Sequence, residues 1–451
     1  MSTFTFGFAG EDIEDPDLEV DEPDASVSAG IRELGMTDDP THGNAQGQKQ
    51  EHVGVLSEAS YCQLDEMLAT LPSQISYSML PIISQSSSLG CPGLTIPRRE
   101  VFDIRAQLMA EDDVASNENA KLIFGLEKED IKPTVYEGGL KTWECAIDLA
   151  KLLAVEEMDS LLSETAKEDA EDIQIIELGA GTAIPSLSIL HHILSQPPPL
   201  SPPHRTIRFV FADYNAAVLR LVTVPNILLT WHTCRSRLHQ PKNLVENVHP
   251  NPESRNDIYY SFNHNEKPNK VADNDEQPDL DLDIDPALIS SFQDDLRARG
   301  ISLSFISGAW SPAFVELALA THPQTPDASA PSPKKSKLLI LASETIYSPS
   351  SIHPFSETLL TLLHRGASGS ASASEAAPTG VDSPSESKFK ALIAAKKVYF
   401  GVGGGIEEFL DVMRDVTCRQ GAESDGDGFF VKERVEVKDK GVGRVVLEVG
   451  V

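Results

Sequence analysis

Five short apolar runs recur between residues 173 and 402, and each stops on a glycine or a polar residue before a stretch with helical spacing. They are Ile173 to Glu177, Ile207 to Ala212, Ile301 to Ile306, Leu338 to Ala342 and Lys397 to Val402. The stretches Ile184 to Leu194, Ala216 to Val224, Phe314 to Ala320, Phe355 to His364 and Ile406 to Val416 follow them in turn. A strand apolar at nearly every position must be covered on both faces, and helices between such strands supply the cover. The alternation therefore predicts a doubly wound, mostly parallel sheet. The end of the chain differs. Phe429 to Val437 and Gly443 to Val449 alternate apolar with polar residues around Lys438-Asp439-Lys440-Gly441, which predicts an antiparallel hairpin. In sheets of this kind a ligand lies beyond the carboxyl ends of the strands, so the residues that stop each run are the candidates for function.

The chain is much longer than this core requires, and its composition shows where the excess lies. Of 451 residues, 37 are Lys or Arg and 69 are Asp or Glu, giving a net charge of −32. Residues 1–50 are read as an acidic disordered region: the first forty contain twelve carboxylates and one basic residue, Arg32, too few apolar groups to offset chain entropy. The opening Phe4-Thr5-Phe6-Gly7-Phe8 is an exception that can anchor on the folded part or on a partner. Residues 51–130 form an N-terminal extension with short helices at Leu64 to Leu71 and Val101 to Met109. The catalytic domain is expected over 131–451, with disordered insertions at about 236–300, 321–337 and 366–388 that are rich in Asn, Asp, Pro, Gly and Ser. The Lys334-Lys335-Ser336-Lys337 cluster is read as part of a solvated loop, and Trp231 as lying in a loop beside His232. No apolar run is long enough to span a bilayer, no basic-then-apolar leader opens the chain, and the five scattered cysteines form no CxxC pair. These features predict an intracellular protein with neither a disulfide framework nor a metal site. The negative charge argues against direct nucleic-acid reading and suits a basic partner, whose approach it would steer.

Glu177-Leu178-Gly179-Ala180-Gly181-Thr182-Ala183 joins the first run to the first helix, and the two glycines let backbone approach a ligand closely. The bulky Ile184 stands where a dinucleotide fingerprint needs a small residue, and no Gly-Lys-Ser/Thr follows. A nucleoside without a pyrophosphate remains, and S-adenosylmethionine is the common one. Asp213 ends the second run, 32 residues beyond Gly181, where a carboxylate can accept both ribose hydroxyls. The proline spacer from Pro197 to Pro203 accounts for the long separation.

Together with Tyr136-Glu137-Gly138-Gly139-Leu140-Lys141-Thr142-Trp143-Glu144, these motifs have a family pattern. With Phe211-Ala212-Asp213-Tyr214-Asn215, Ser307-Gly308-Ala309-Trp310 and Ser343-Glu344-Thr345-Ile346-Tyr347, the chain resembles the eukaryotic protein-histidine N-methyltransferases, and its Phe-rich acidic opening looks like their fungal members. The resemblance implies a seven-stranded, Rossmann-like methyltransferase sheet. It implies transfer of a methyl group from S-adenosylmethionine to the tele nitrogen of a histidine in a ribosomal protein of the large subunit, the third in universal numbering, in cytoplasm and nucleus. The enzyme would be a monomer with no membrane partner. Thr142, Trp143, Glu144, Cys145 and Ala146 would line the methionine side of the cofactor, over a turn made by Glu177, Gly179 and Gly181. Asp213, Tyr214 and Asn215 would hold the ribose; Gly308, Ala309 and Trp310 would flank adenine; Ser343 would lie beside the methyl donor. Family members usually carry an acid where Ala309 stands, so the adenine amino contact is either lost or made by backbone.

Methyl transfer to nitrogen needs a nucleophile held in line at about 3–3.5 Å, and a neutral imidazole attacks without prior deprotonation. A carboxylate that accepts the proton of the other ring nitrogen selects which nitrogen attacks. Glu344 is the candidate for that role, with Tyr347 in the pocket wall. Two other functions share the same fold: a protein-lysine methyltransferase, and a non-catalytic ribosome-assembly chaperone that keeps the cofactor pocket.

Overall fold

The computed structural model describes residues 57–83, 93–111, 138–162, 171–199, 201, 203–239, 280–320, 336–371, 388–401, 403–419, 429–438 and 441–451. The acidic opening with its Phe-rich anchor, Tyr136, Glu137, and the bulk of the three insertions lie outside these residues.

In chain order the elements are β1 (Ser60–Cys62), α1 (Leu64–Ala69), β2 (Gln74–Ile83), β3 (Leu94–Arg99), α2 (Val101–Ala110) and α3 (Glu144–Leu152). Then come β4 (Asp172–Leu178), α4 (Ile184–Leu194), β5 (Ile207–Asp213), α5 (Val224–His239), β6 (Leu280–Asp283) and α6 (Pro286–Ala298). The remainder is β7 (Ile301–Ser307), α7 (Pro312–Leu319), β8 (Ser336–Ser343), α8 (Pro349–Ala371), β9 (Phe389–Lys396), α9 (Ile406–Arg419), β10 (Phe430–Val437) and β11 (Arg444–Gly450).

The main sheet has the order β1-β7-β5-β4-β8-β9-β11-β10. Strands β7, β5, β4, β8 and β9 run parallel, and the C-terminal hairpin closes one edge with β11 antiparallel to β9. These are the seven strands expected. An eighth, β1, pairs antiparallel with β7 at the opposite edge. Period-two alternation sends each central strand's side chains to two cores. Ile175, Phe209, Phe211, Phe305 and Leu341 face one, under α3, α4, α5 and α6. Ile176, Val210, Ile306, Ile340 and Ile393 face the other, under α7, α8 and α9. The rings of Phe209, Phe211 and Phe305 stack across β5 and β7, with centroids 6.0 and 5.5 Å apart.

Several expectations are corrected. The last parallel strand is Phe389–Lys396, not Lys397 to Val402, because the apolar run FKALIAAK pairs along β8 and β11. Residues 280–300, expected within a solvated insertion, form β6 and α6; Asp285 caps that helix by accepting the Leu288 N–H, and Phe292 and Leu296 are buried. Helix α8 continues through the first residues of the insertion expected at 366–388, and Ser336 and Lys337 already belong to β8. Trp231 is helical and buried in α5, where its indole N–H donates to Asp295 at 2.9 Å. The helices expected near 64 and 101 are present, but strands β2 and β3 accompany them and pair with β6 as a second, antiparallel sheet. Its Ile75, Tyr77 and Leu282 pack on Leu229 of α5.

Candidate functional site

Strand register aligns the carboxyl ends. Leu178 pairs with Ala212 and with Ala342, Asp213 with Ser307, and Ser343 with Ala394. Every residue that stops a parallel strand is thereby brought to one rim.

At the centre of that rim β4 turns into α4. Gly179 has φ +70°, and a Cβ there would lie 2.7 Å from Thr345 Cγ2, so the turn presses against the segment following β8. Helix α4 begins after Ala183, which has no side chain to cap it. Glu177 does this work instead: one carboxylate oxygen accepts the Ser186 N–H at 3.1 Å. Glu177 is 1 % exposed, and burial pushes its pKa up to about 8. Through its bond to Ser186 it holds the turn.

Asp213 clamps the turn from the second strand. Its Oδ2 accepts the Gly181 N–H at 3.0 Å and its Oδ1 the Asn215 N–H at 3.1 Å. An ionised carboxylate offers about four lone-pair sites, so it can accept from several donors at once. The Asn215 side chain accepts the Ala217 N–H and caps the next helical turn, while Tyr214 is half-buried beside it. At the third strand the Gly308 N–H bonds to the Asp213 carbonyl at 3.2 Å. The chain from Ser57 crosses this point closely enough that a Cβ on Gly308, φ +118°, would lie 2.6 Å from the Glu58 carbonyl oxygen. The Ala309 N–H donates to the Ser57 carbonyl at 3.0 Å. Trp310 packs edge-on against Phe314 and Phe355, at 5.1 and 6.2 Å.

The turn's carbonyls are held from α5, behind which the chain makes a π-turn over Leu219–Thr223. Thr223 donates to the Gly181 carbonyl at 2.7 Å and Asn226 to the Thr182 carbonyl at 3.0 Å. Asn226 in turn accepts the Arg99 N–H of β3 at 2.8 Å. Sequence reasoning missed both residues, since buried Thr and Asn inside a helix carry no local signal. Thr142 closes the ring by donating to Thr182 Oγ1 at 3.1 Å.

Across the turn lies a charged group. Glu344, directly after β8, has φ +56°; it and Ala183 are the non-glycine residues with positive φ among those described, and both stand at this rim. Such backbone is costly and collects where function requires it. The Glu344 side chain is 9 % exposed, and its Oε1 has no hydrogen-bond partner. Lys396, the last residue of β9, places Nζ 3.6 Å from Glu344 Oε1 and 3.4 Å from Glu144 Oε2, and 5.2 Å from the ring centre of Trp143. The Trp143 indole is fixed by donating to the Gly138 carbonyl at 3.0 Å. Desolvation pulls the Lys396 pKa down, but Glu344 and Glu144 more than offset it and leave the pKa above the ordinary lysine value. Burial, followed by Glu344, pushes the Cys145 thiol and the Tyr399 phenol up, so both stay neutral. Tyr347 is buried, with its ring edge toward Tyr399 at 6.4 Å. Ser343 and Ala146 lie at the ends of β8 and in the first turn of α3. Lys396 was not among the residues singled out from sequence, because the strand carrying it was set too late in the chain.

A mostly parallel sheet closed by an antiparallel strand, with a glycine turn at its centre clamped by an aspartate of the neighbouring strand, defines a Rossmann-like methyltransferase. No protein-family model matches the chain. It is similar to Histidine protein methyltransferase 1 of Saccharomyces cerevisiae, 30 % identical over 418 residues that cover 92 % of this chain and 91 % of that protein. It is also similar to Histidine protein methyltransferase 1 of Schizosaccharomyces pombe, 30 % identical over 377 residues covering 83 % of each chain. A homolog in Rattus norvegicus is 25 % identical over 324 residues, 71 % of this chain and 58 % of that protein. The chain belongs to the histidine protein methyltransferase family.

Proposed function

We propose that this protein transfers a methyl group from S-adenosylmethionine to the tele nitrogen of a histidine in a basic ribosomal protein of the large subunit, the third in universal numbering, and so serves ribosome biogenesis and translation in cytoplasm and nucleus. The observation that carries the reading is Glu344: a carboxylate with an unbonded oxygen, at the rim beside the glycine turn. The residues present fit the cofactor. Asp213 brings a carboxylate of the kind that accepts ribose hydroxyls to the end of the neighbouring strand, and Gly179 and Gly181 leave the turn without side chains. When bound, the cofactor supplies an electrophilic methyl on a positively charged sulfur. Glu344 accepts the N–H of the substrate's other ring nitrogen, which leaves the tele nitrogen with its lone pair free to attack and stabilises the imidazolium that forms. Tyr347 and Tyr399 wall the pocket without adding charge. The net charge of −32 supports a basic partner by long-range attraction.

The test is incubation of the protein with methyl-labelled cofactor and large ribosomal subunits, followed by location of the label by mass spectrometry. Label on a histidine is expected. Glu344→Ala is expected to bind cofactor as the parent does and to transfer at least about 100-fold more slowly, the usual worth of a positioned acid–base group. Label on lysine, or ordinary turnover by Glu344→Ala, refutes the reading.

A further inference from the structure

We propose that Lys396 is the positioning and specificity residue of the acceptor pocket: it orients the Glu344 carboxylate, and its own positive charge bars an ammonium group, so that the pocket takes a neutral imidazole. The inference rests on the function proposed above and says how that site distinguishes histidine from lysine.

Geometry comes first. Ser343 pairs with Ala394, and the Glu344 N–H bonds to the Ala394 carbonyl at 2.9 Å. Lys396, two residues further on β9, therefore rises on the same side of the strand as Ala394, next to Glu344. Its Nζ stands 3.6 Å from Glu344 Oε1, close enough to attract the carboxylate and too far for a full hydrogen bond. Oε1 is thus oriented and, though buried, has no hydrogen-bond partner of its own, while the Cys145 thiol and the Tyr399 hydroxyl bond to the same carboxylate. A second carboxylate, Glu144, lies at 3.4 Å on the solvent side, and the Trp143 ring holds the ammonium from below.

Charge decides the rest. Glu344 is faced by Glu144 and Cys145 from α3 and by Lys396 and Tyr399 from β9 and the turn after it, with Tyr347 beyond. Asp148 of α3, further off, is paired with Arg444 of β11 at 2.6 Å. Cys145 and Tyr399 are neutral, so the pocket contains two carboxylates and one ammonium. A sulfonium beside them brings the sum to zero. A neutral imidazole entering leaves that balance undisturbed. An alkylammonium would add a second cation within a few ångströms of Lys396 in a partly desolvated space, where like charges repel strongly. Without Lys396 the same pocket has an unpaired negative charge, and an ammonium would enter as its counter-ion.

The experiment compares Lys396→Met, Lys396→Arg and the parent by two independent readings. The first is the labelled-subunit assay. Lys396→Met is expected to lose about tenfold in kcat with little change in KM, as befits lost positioning. Lys396→Arg should recover most of the rate. The second reading needs no substrate protein: ligand-observed NMR with imidazole and with butylammonium as probes, in the presence of S-adenosylmethionine, which keeps the sulfonium charge. Lys396→Met should bind butylammonium at least about tenfold more tightly than the parent and imidazole equally well. Glu144→Gln, at an exposed position, should weaken butylammonium further. A folded Lys396→Met with parental kcat and parental butylammonium affinity overturns the proposal. A parent enzyme that labels lysine overturns the proposed function instead, and the two failures are read in different assays.

Discussion

Removing the Asp213 carboxylate tests whether the glycine turn and the ribose site are one device. Its two oxygens accept the Gly181 and Asn215 N–H groups at 3.0 and 3.1 Å. A hydrogen bond to a charged acceptor is worth about 1.5–3 kcal/mol, and half-exposure places each near the lower figure. Asp213→Ala should therefore destabilise the fold by about 3 kcal/mol, while Asp213→Asn, which keeps one acceptor oxygen, should cost about half as much. On the ligand side the alanine variant loses the carboxylate that would accept from the ribose diol. Two more bonds of the same worth correspond to about a hundredfold loss of affinity. Urea denaturation reads the first quantity, and calorimetric titration with S-adenosylhomocysteine the second. In Asp213→Asn the two should separate: stability falls modestly, whereas affinity falls at least about tenfold because the amide nitrogen cannot accept from a hydroxyl. A folded Asp213→Ala that binds the nucleoside with parental affinity refutes the reasoning.

Three further outcomes follow from the same rim. Gly179→Ala combines a left-handed backbone with a 2.7 Å approach to Thr345; it should lower stability by about 2–4 kcal/mol and weaken cofactor binding, and a variant with parental Tm and affinity would show that the turn relaxes freely. Because burial raises the Glu177 pKa to about 8 in the folded state, against 4.5 as its ordinary value, its contribution to stability is complete below that ordinary value and is lost as pH rises through about 8. Glu177→Gln keeps an oxygen for the Ser186 N–H and cannot ionise, so melting between about pH 6 and about pH 9 should fall less steeply than in the parent; equal slopes would count against the assignment. Asn226→Leu strands the Arg99 N–H and the Thr182 carbonyl, each at about 1–3 kcal/mol, and should weaken both Tm and cofactor affinity, whereas a loss of Tm alone would separate the N-terminal sheet from the site.

Much of the fold was legible because its signals are local. The runs beginning at Ile173, Ile207, Ile301 and Leu338 become β4, β5, β7 and β8 with bounds close to those read, since buried parallel strands are apolar nearly throughout. The glycine turn, Asp213 and Glu344 stand out because each stops a strand. The misreadings share a cause as well. FKALIAAK and LDLD each border low-complexity sequence and were absorbed into it or displaced, and Trp231 was separated from Asp295, its partner 64 residues away.

What the chain's order of residues determined by itself is the alternation of strands and helices, and with it the rim at which chemistry must occur, because backbone hydrogen bonding and hydrophobic period act over a few residues. The tertiary structure alone decided which side chains meet at that rim. Lys396 reaches Glu344 and Glu144, and Ser57 takes the Ala309 N–H, only through strand pairing across long stretches of chain, and register is set by the whole sheet's packing rather than by any segment's own preference.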